Sequence, residues 1–317
     1  MKKIYYITAV FATLFLVGCG DGIDLPGVNV ETGLNKIPLP DNNVNLEQVE
    51  LKPSTEPMLH EGLHTEEDFQ RIRDKKAAGE EPWVSAYQLL VESQFSQKTA
   101  DTYPTEWIKR GVSGDENYMN AARGATIVYQ QALRWKIEQD DEYAAKAVEN
   151  LNKWVQTCVG VTGNTNLSLA AGLYGYEFAI AGELLRDYEG WDRADFAAFQ
   201  NWLLKVFYPA NDDFLKRHHD TNALHYWANW CLCNIAAKMA IGIVTDRRDI
   251  YNEGIDHLQT GDTNGRLRRA IYHDYAPDYN FAQWQESGRD QGHTLMCVGL
   301  MGIICQLAWS QGDDFFA

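Results

Sequence analysis

The stretch GDENYMNAARGATIVYQQALRWK, residues 114–136, sets Tyr118, Ala122, Ala125, Tyr129, Ala132 and Trp135 three or four positions apart. That spacing returns one apolar stripe to the same side of a helix, so a long helix opening at Asp115 is predicted. A second follows almost without a connection, its stripe carried by Tyr143, Ala147, Leu151 and Trp154. Long helices joined by short links pack antiparallel. Further helical segments are expected at about 167–188, 192–207, 220–245, 247–260 and 288–311. Upstream, Thr65-Glu66-Glu67-Asp68 is close to a capping box before Phe69, Ile72 and Ala77, and another helix is expected after Pro82 through Trp83, Tyr87 and Leu90. Strand-like alternation is scarce and no exact repeat is visible. The pattern therefore predicts an all-α fold, an α/α toroid of antiparallel helical hairpins rather than a short-period repeat array.

The 317 residues are 45% hydrophobic and include 10 Trp, 16 Tyr and 12 Phe, enough for a sizeable core. This composition excludes a disordered polymer and a polytopic membrane protein. With 28 basic against 44 acidic residues the formal charge is −16, which argues against a nucleic-acid partner. A polyanionic substrate would need a local basic patch to override that field. Gly265-Arg266-Leu267-Arg268-Arg269, followed by Tyr272, His273, Tyr275 and Tyr279, is such a patch, although a solvated loop balancing nearby acids reads the same way.

At the N-terminus Lys2 and Lys3 precede an apolar run from Ile4 to Val17, too short to cross a bilayer comfortably and suited to a signal peptide. It ends in Leu16-Val17-Gly18-Cys19, which matches a lipobox. The expected organisation is a lipoprotein signal peptide over 1–18, a flexible tether over 19–57 rich in Pro, Asn and Gly, and a helical domain over 58–317. Lipid on Cys19 would anchor an exported protein to a membrane, in the periplasm or at the cell surface. The other cysteines, Cys158, Cys231, Cys233, Cys297 and Cys305, are odd in number without CxxC spacing, so buried free thiols are expected rather than disulfides or zinc. No nucleotide-binding or metal-binding motif occurs, and no cofactor is expected.

Two polar concentrations interrupt the apolar helices. In Arg217-His218-His219-Asp220-Thr221-Asn222-Ala223-Leu224-His225-Tyr226-Trp227-Ala228-Asn229-Trp230, a helix would place His225 and Asn229 one turn apart on a common face, able to grip a carboxylate or position a proton. The alternative is a helix-start His and Asn satisfying neighbouring loops. In Gln283-Trp284-Gln285-Glu286-Ser287-Gly288-Arg289-Asp290-Gln291-Gly292-His293, a helix from Ser287 would align Arg289 with His293 and leave Asp290 as a capping group. Burying Arg289, Gln285 and His293 unpaired is costly, so a polar cleft is expected there.

The segments HEGLHTEEDFQRIRDKKAAGEEPW (60–83), GDENYMNAARGATIVYQQALRWK (114–136), LAAGLYGYEFAIAGELLRDYEGW (169–191), HYWANWCLCNIAAKMAIGI (225–243) and QWQESGRDQGH (283–293) resemble the bacterial alginate lyase family, one of the α/α-toroid polysaccharide lyases. The resemblance runs from His60 onward, and the last two segments are its most specific parts. It implies β-elimination of a 1,4-linked uronic acid polymer such as alginate or glucuronan. The proton at C5 of a uronate is barely acidic while the neighbouring carboxylate is charged. The carboxylate must be neutralised, the proton withdrawn and the leaving oxygen protonated. By this resemblance His225 is a base or neutralising donor, Asn229 a carboxylate partner, Arg289 a positive clamp and His293 an alternative base. Tyr279 is the favoured acid or base tyrosine, with Tyr275 and Tyr226 open. Trp230, Trp227, Tyr174, Tyr176 and Gln285 are candidates to contact sugar, although aromatics at helical spacing are also core residues. The better-studied members begin the helix with Asn-Asn-His and carry Tyr two turns after Arg; here His225 precedes Tyr226 directly and Met296 follows Arg289. The family domain is also expected to continue beyond Asp313-Asp314-Phe315-Phe316-Ala317, as in a fragment or an open toroid.

Two other readings are compatible with this composition. A toroid glycoside hydrolase would use Glu286 and Asp290, yet two carboxylates one turn apart do not flank a sugar. A non-catalytic glycan-binding lipoprotein would suit the lipobox and the tryptophans, but has no need for converging His, Arg and Asn.

Overall fold

The computed structural model describes residues 54–275 and 282–316. Eleven α-helices are seen among them. They are α1 (Glu66–Ala77), α2 (Trp83–Glu92), α3 (Tyr118–Glu138), α4 (Asp141–Thr157), α5 (Leu167–Leu184), α6 (Arg193–Val206), α7 (Tyr208–Arg217), α8 (Ala228–Val244), α9 (Arg248–Gln259), the single turn α10 (Leu267–Ala270) and α11 (Gln291–Ser310). Four short strands accompany them: β1 (Trp107–Arg110), β2 (Gly160–Gly163), β3 (Ile271–Asp274) and β4 (Ala282–Trp284).

Side-chain caps set four of the helix starts. Thr65 and Asp68 exchange both bonds of a capping box, and Asp140, Asp192 and Asp290 each accept a backbone N–H from the first turn that follows. The predicted 220–245 helix in fact begins at Ala228, because His218, His219 and Asp220 adopt successive left-handed backbone angles that no helix continues. The 288–311 helix begins at Gln291, with Asp290 itself as its N-cap. Helix α7 has no loop to announce it; it starts directly after α6, with Pro209 in its first turn.

The helices form two layers. The inner row runs α3–α5–α8–α11, each packed against the next, while α4, α6 and α9 lie outside. Inner helices share one direction. Strands β1 and β2 lead into α3 and α5 and pair in parallel, Trp107 with Gly160 through Arg110 with Gly163. At the far end Arg186, just past α5, donates to Ile243 O and Val244 O at the end of α8 (3.3 and 2.9 Å). Helices α5 and α8 approach closely because Gly172 lacks a side chain: a Cβ there would lie 2.5 Å from Cys233 Sγ. The outer face of α5 packs through Phe178 onto Trp154, Trp202 and Phe207. Helix α11 is long and apolar enough to cross a membrane, but half of it is buried in this core, and Cys297 and Leu300 are wholly so.

Lys238, in the middle of α8, is fully buried and donates to Asp212 of α7 (2.8 Å) and Glu253 of α9 (2.5 Å). All five described cysteines are free and buried, as expected.

Residues 58–65 form a strap across the closed end of the inner row. Gln311 beyond α11 accepts from Leu59 N and donates to Leu59 O and Glu61 O. Gly62 lies against Glu183 of α5, and His64 bonds Tyr129 of α3. Residues 54–57, from the segment expected to be a tether, are held by Arg248 and Asn252 of α9.

Candidate functional site

Because the inner helices run the same way, their N-terminal ends and the loops before them gather at one end of the molecule. Their first turns carry partial positive charge, a setting that favours anions. Strand β1 delivers Arg110 to this end. Its guanidinium is buried, stacks over the Tyr118 ring (4.7 Å) and donates to Tyr174 Oη (3.4 Å). Among the described residues it has no carboxylate partner. Gly163 is required beside it: at φ +144° a Cβ would meet Arg110 O at 1.7 Å.

The loop between α7 and α8 supplies the next wall. His219 Nε2 bonds Ser168 Oγ in the first turn of α5 (3.0 Å), and His218 is buried beside Cys231, its pKa lowered by that burial. The rings of Phe214, His219, Tyr226 and Trp230 form one aromatic cluster, with Tyr226 and Trp230 4.6 Å apart. Left-handed non-glycine residues are strained, and a run of three is held here by that packing together with the His219–Ser168 bond.

The expectation for His225 and Asn229 is corrected. His225 lies on the exposed loop before the helix, with its ring edge against Tyr226 (4.9 Å), whereas Asn229 is buried in the first turn of α8; they do not share a helix face. Trp227 is half exposed at the N-cap of that helix.

The segment before α11 is also corrected. Gln285 is a buried brace rather than a free sugar contact: Oε1 accepts from Ala228 N (3.2 Å) and Nε2 donates to Arg269 O (2.7 Å) and Asn264 Oδ1 (3.2 Å). Arg289 precedes the helix and donates to Glu286 Oε1 (2.8 Å), so its charge is already matched. Glu286, with a left-handed backbone, buries its carboxylate under Arg289 and Cys297. His293 stands in the first turn of α11 with Nδ1 2.6 Å from Asp290 Oδ2, while Asp290 Oδ1 accepts the His293 backbone N–H (2.8 Å). These bonds hold the Asp290 carboxyl below its usual range. Cys297, one turn further, touches the backbone of Asn229, so the His293–Asp290 pair adjoins the start of α8. Tyr174 and Tyr176 are buried within the inner row and present no open ring face for a sugar.

Tyr279 lies outside the described residues. Tyr275 is exposed, donates to Gln283 Oε1 (3.0 Å) and packs edge-on against His273 (4.6 Å) beside the antiparallel β3–β4 hairpin, which no residue pattern announced. Arg269 pairs with Asp262 (2.7 Å). Arg266 Nε, Arg269 Nη1 and His273 Nδ1 are buried and find no acceptor among the described residues. Arg110 was missed because nothing in Trp107-Ile108-Lys109-Arg110 signals that a parallel strand pair turns it inward.

Two layers of helical hairpins around an inner row, with a polar and cationic end where the inner helices begin, define an α/α toroid of the kind that houses polysaccharide lyases. A family model described as alginate lyase matches residues 72–317, and the chain belongs to the alginate lyase family. The fold is similar to alginate lyase A1-III from Sphingomonas species A1 (TM-score 0.55, 13% identity, 82% of this chain and 74% of that one). A second structure of A1-III, a Tyr-to-Phe variant complexed with a tetrasaccharide, is similar at TM-score 0.57, with 13% identity over 82% and 73% of the two chains. An alginate lyase from Bacteroides ovatus is similar at TM-score 0.54, with 14% identity over 81% and 78%. No curated protein matches the sequence.

Proposed function

We propose that this protein is an exported lyase that cleaves a 1,4-linked uronate polymer, alginate or glucuronan, by β-elimination. The base removes the C5 proton, the C5 electron pair forms the C4–C5 double bond, the C4–O bond breaks, and the departing oxygen takes a proton. The observation that carries this reading is the His293–Asp290 pair at the cationic end of the inner row. Asp290 bonds one ring nitrogen and so fixes the orientation of the imidazole proposed as the base for the C5 proton. Arg110, buried without an acid among the described residues, is suited to neutralise the uronate carboxylate, a role better matched to it than to Arg289. His225, exposed on the neighbouring loop, is placed as a substrate contact, and Tyr279 or Tyr275 as the proton donor. A carboxylate pair made of Glu286 and Asp290 suits hydrolysis poorly, since both bond the same Arg289.

Incubation of the chain with polymannuronate, polyguluronate and glucuronan, followed by ultraviolet absorbance of the new double bond, tests the reading. A rise on one polymer that is lost in His293→Ala supports it; no rise on any of them overturns it. Cys19 is proposed as the lipidated residue, so labelled palmitate should enter the wild-type precursor and not Cys19→Ser.

A further inference from the structure

On α5 every residue from Ser168 to Leu184 is buried except Glu177. An acid in the middle of this enclosed helix is thus the one residue from Ser168 to Leu184 that the fold covers only in part, so the inner row is least tightly closed over α5 at this position. Three inner helices and the strap converge there. Tyr176 Oη donates to Glu177 Oε1 (3.5 Å), Tyr129 of α3 lies within electrostatic reach of both, Cys233 of α8 lies near Tyr176, and His64 bonds Tyr129 (2.5 Å). Among the described residues no lysine or arginine pairs with Glu177. Burial pushes its carboxyl up to about 8 and pushes His64 down to about 4. Near neutral pH the cluster carries no charge and Glu177 holds a proton, which makes it a donor. Gly172 lies level with Cys233, so Glu177 sits five residues further along α5 while Asn229 sits four residues back along α8. At 1.5 Å per residue the two are separated by roughly 13 Å along the row, more than one sugar ring.

We propose that Glu177, flanked by Tyr176 and Tyr129, forms a deep binding subsite that donates a hydrogen bond to the carboxylate of a uronate unit beyond the one undergoing elimination. This rests on the lyase reading above. Pairing of a carboxylic acid with a carboxylate selects a uronate over a neutral sugar without a fixed cation, and it fails once Glu177 ionises and repels the ligand. Glu177 is a binding and positioning residue here, so its loss should act on KM more than on kcat.

Steady-state kinetics on the preferred polymer between pH 6 and 9.5, with calorimetric titration of saturated oligouronates, test this. In wild type KM should rise at least fivefold between pH 6.5 and 9. Glu177→Leu should raise KM at least tenfold at pH 6.5 with kcat within threefold. Glu177→Gln, a weaker donor of the same shape, should raise KM two- to threefold at pH 6.5 and lose the alkaline rise. If Glu177→Leu does not fold, the pH profile of Glu177→Gln decides alone. Wild-type KM values in either variant, or an unaltered alkaline rise in Glu177→Gln, would overturn the subsite and leave the lyase reading intact. A wild type inactive on every polymer fails the lyase reading instead, and equal oligouronate affinity in wild type and Glu177→Gln from pH 6.5 to 9 would then remove the subsite as well.

Discussion

Asp290 Oδ1 accepts the His293 backbone N–H while Oδ2 takes the ring nitrogen, so one side chain both starts α11 and orients the candidate base. Asparagine caps helices about as well as aspartate, which separates the two roles. Asp290→Asn should change stability by less than about 0.5 kcal/mol while lowering kcat by roughly a hundredfold or more, measured by thermal melting and initial rates on the same sample. Loss of stability with kcat retained would make Asp290 a cap and nothing else. Glu177 and His64 give a second test at this scale. The raised Glu177 carboxyl means the folded state keeps a proton that the unfolded chain releases above 4.5, so stability falls as pH rises toward about 8. The lowered His64 means the unfolded chain gains a proton that the folded state refuses, so stability falls as pH drops from 6.5 toward about 4. The slopes oppose each other between about 4.5 and 6.5. Their joint contribution should be flat there and decline above 6.5 by about 1.4 kcal/mol per pH unit. Melting curves of Glu177→Gln should lack that decline; a wild-type slope in the variant would contradict it.

At the scale of elements, most helices were legible because their apolar spacing and caps are local. Thr65 with Asp68, and the stripe from Tyr118 to Trp135, announce themselves within one or two turns. The site was less legible because it depends on where elements meet. The left-handed run at His218–Asp220 moved the start of α8 and took His225 off the helix, and Gln285 turned out to serve the first backbone N–H of that helix. Neither effect is written in periodicity: one is strain held by aromatic packing, the other a contact across 57 positions. The α5–α8 seam has its own prediction. In Gly172→Ala the new methyl would approach Cys233 Sγ at 2.5 Å and Asn234 N at 3.0 Å. The variant should lose about 1–3 kcal/mol by overpacking, read from denaturant midpoints, and a simultaneous Cys233→Ala should recover part of it. No recovery would place the strain in the Asn234 backbone instead.

For the whole molecule, a formal charge of −16 repels a polyuronate at distance, whereas the end of the inner row attracts it at contact. Salt screens the distant term first, since the screening length is about 10 Å at 0.1 M. KM on a uronate polymer should therefore fall as ionic strength rises from about 0.01 to 0.1 M, and rise again when the contact term is screened. A KM that only climbs with salt would show that the local cationic end governs association throughout. The acidic total could exclude nucleic acid, but it could not show that buried Arg110 has no carboxylate partner among the described residues while Arg269 is paired with Asp262.

The strap adds a matter of timing. Gln311 reaches back 252 positions to Leu59, so residues 58–65 cannot find their final place until residue 311 has been synthesised. Contacts this distant in sequence form late and slowly. On the ribosome α1 through α9 can pair off as they emerge, yet residues 58–65 must wait, unsealed, for α11. Until Gln311 has emerged the strap stays unlocked, and the end of the inner row that it crosses stays open.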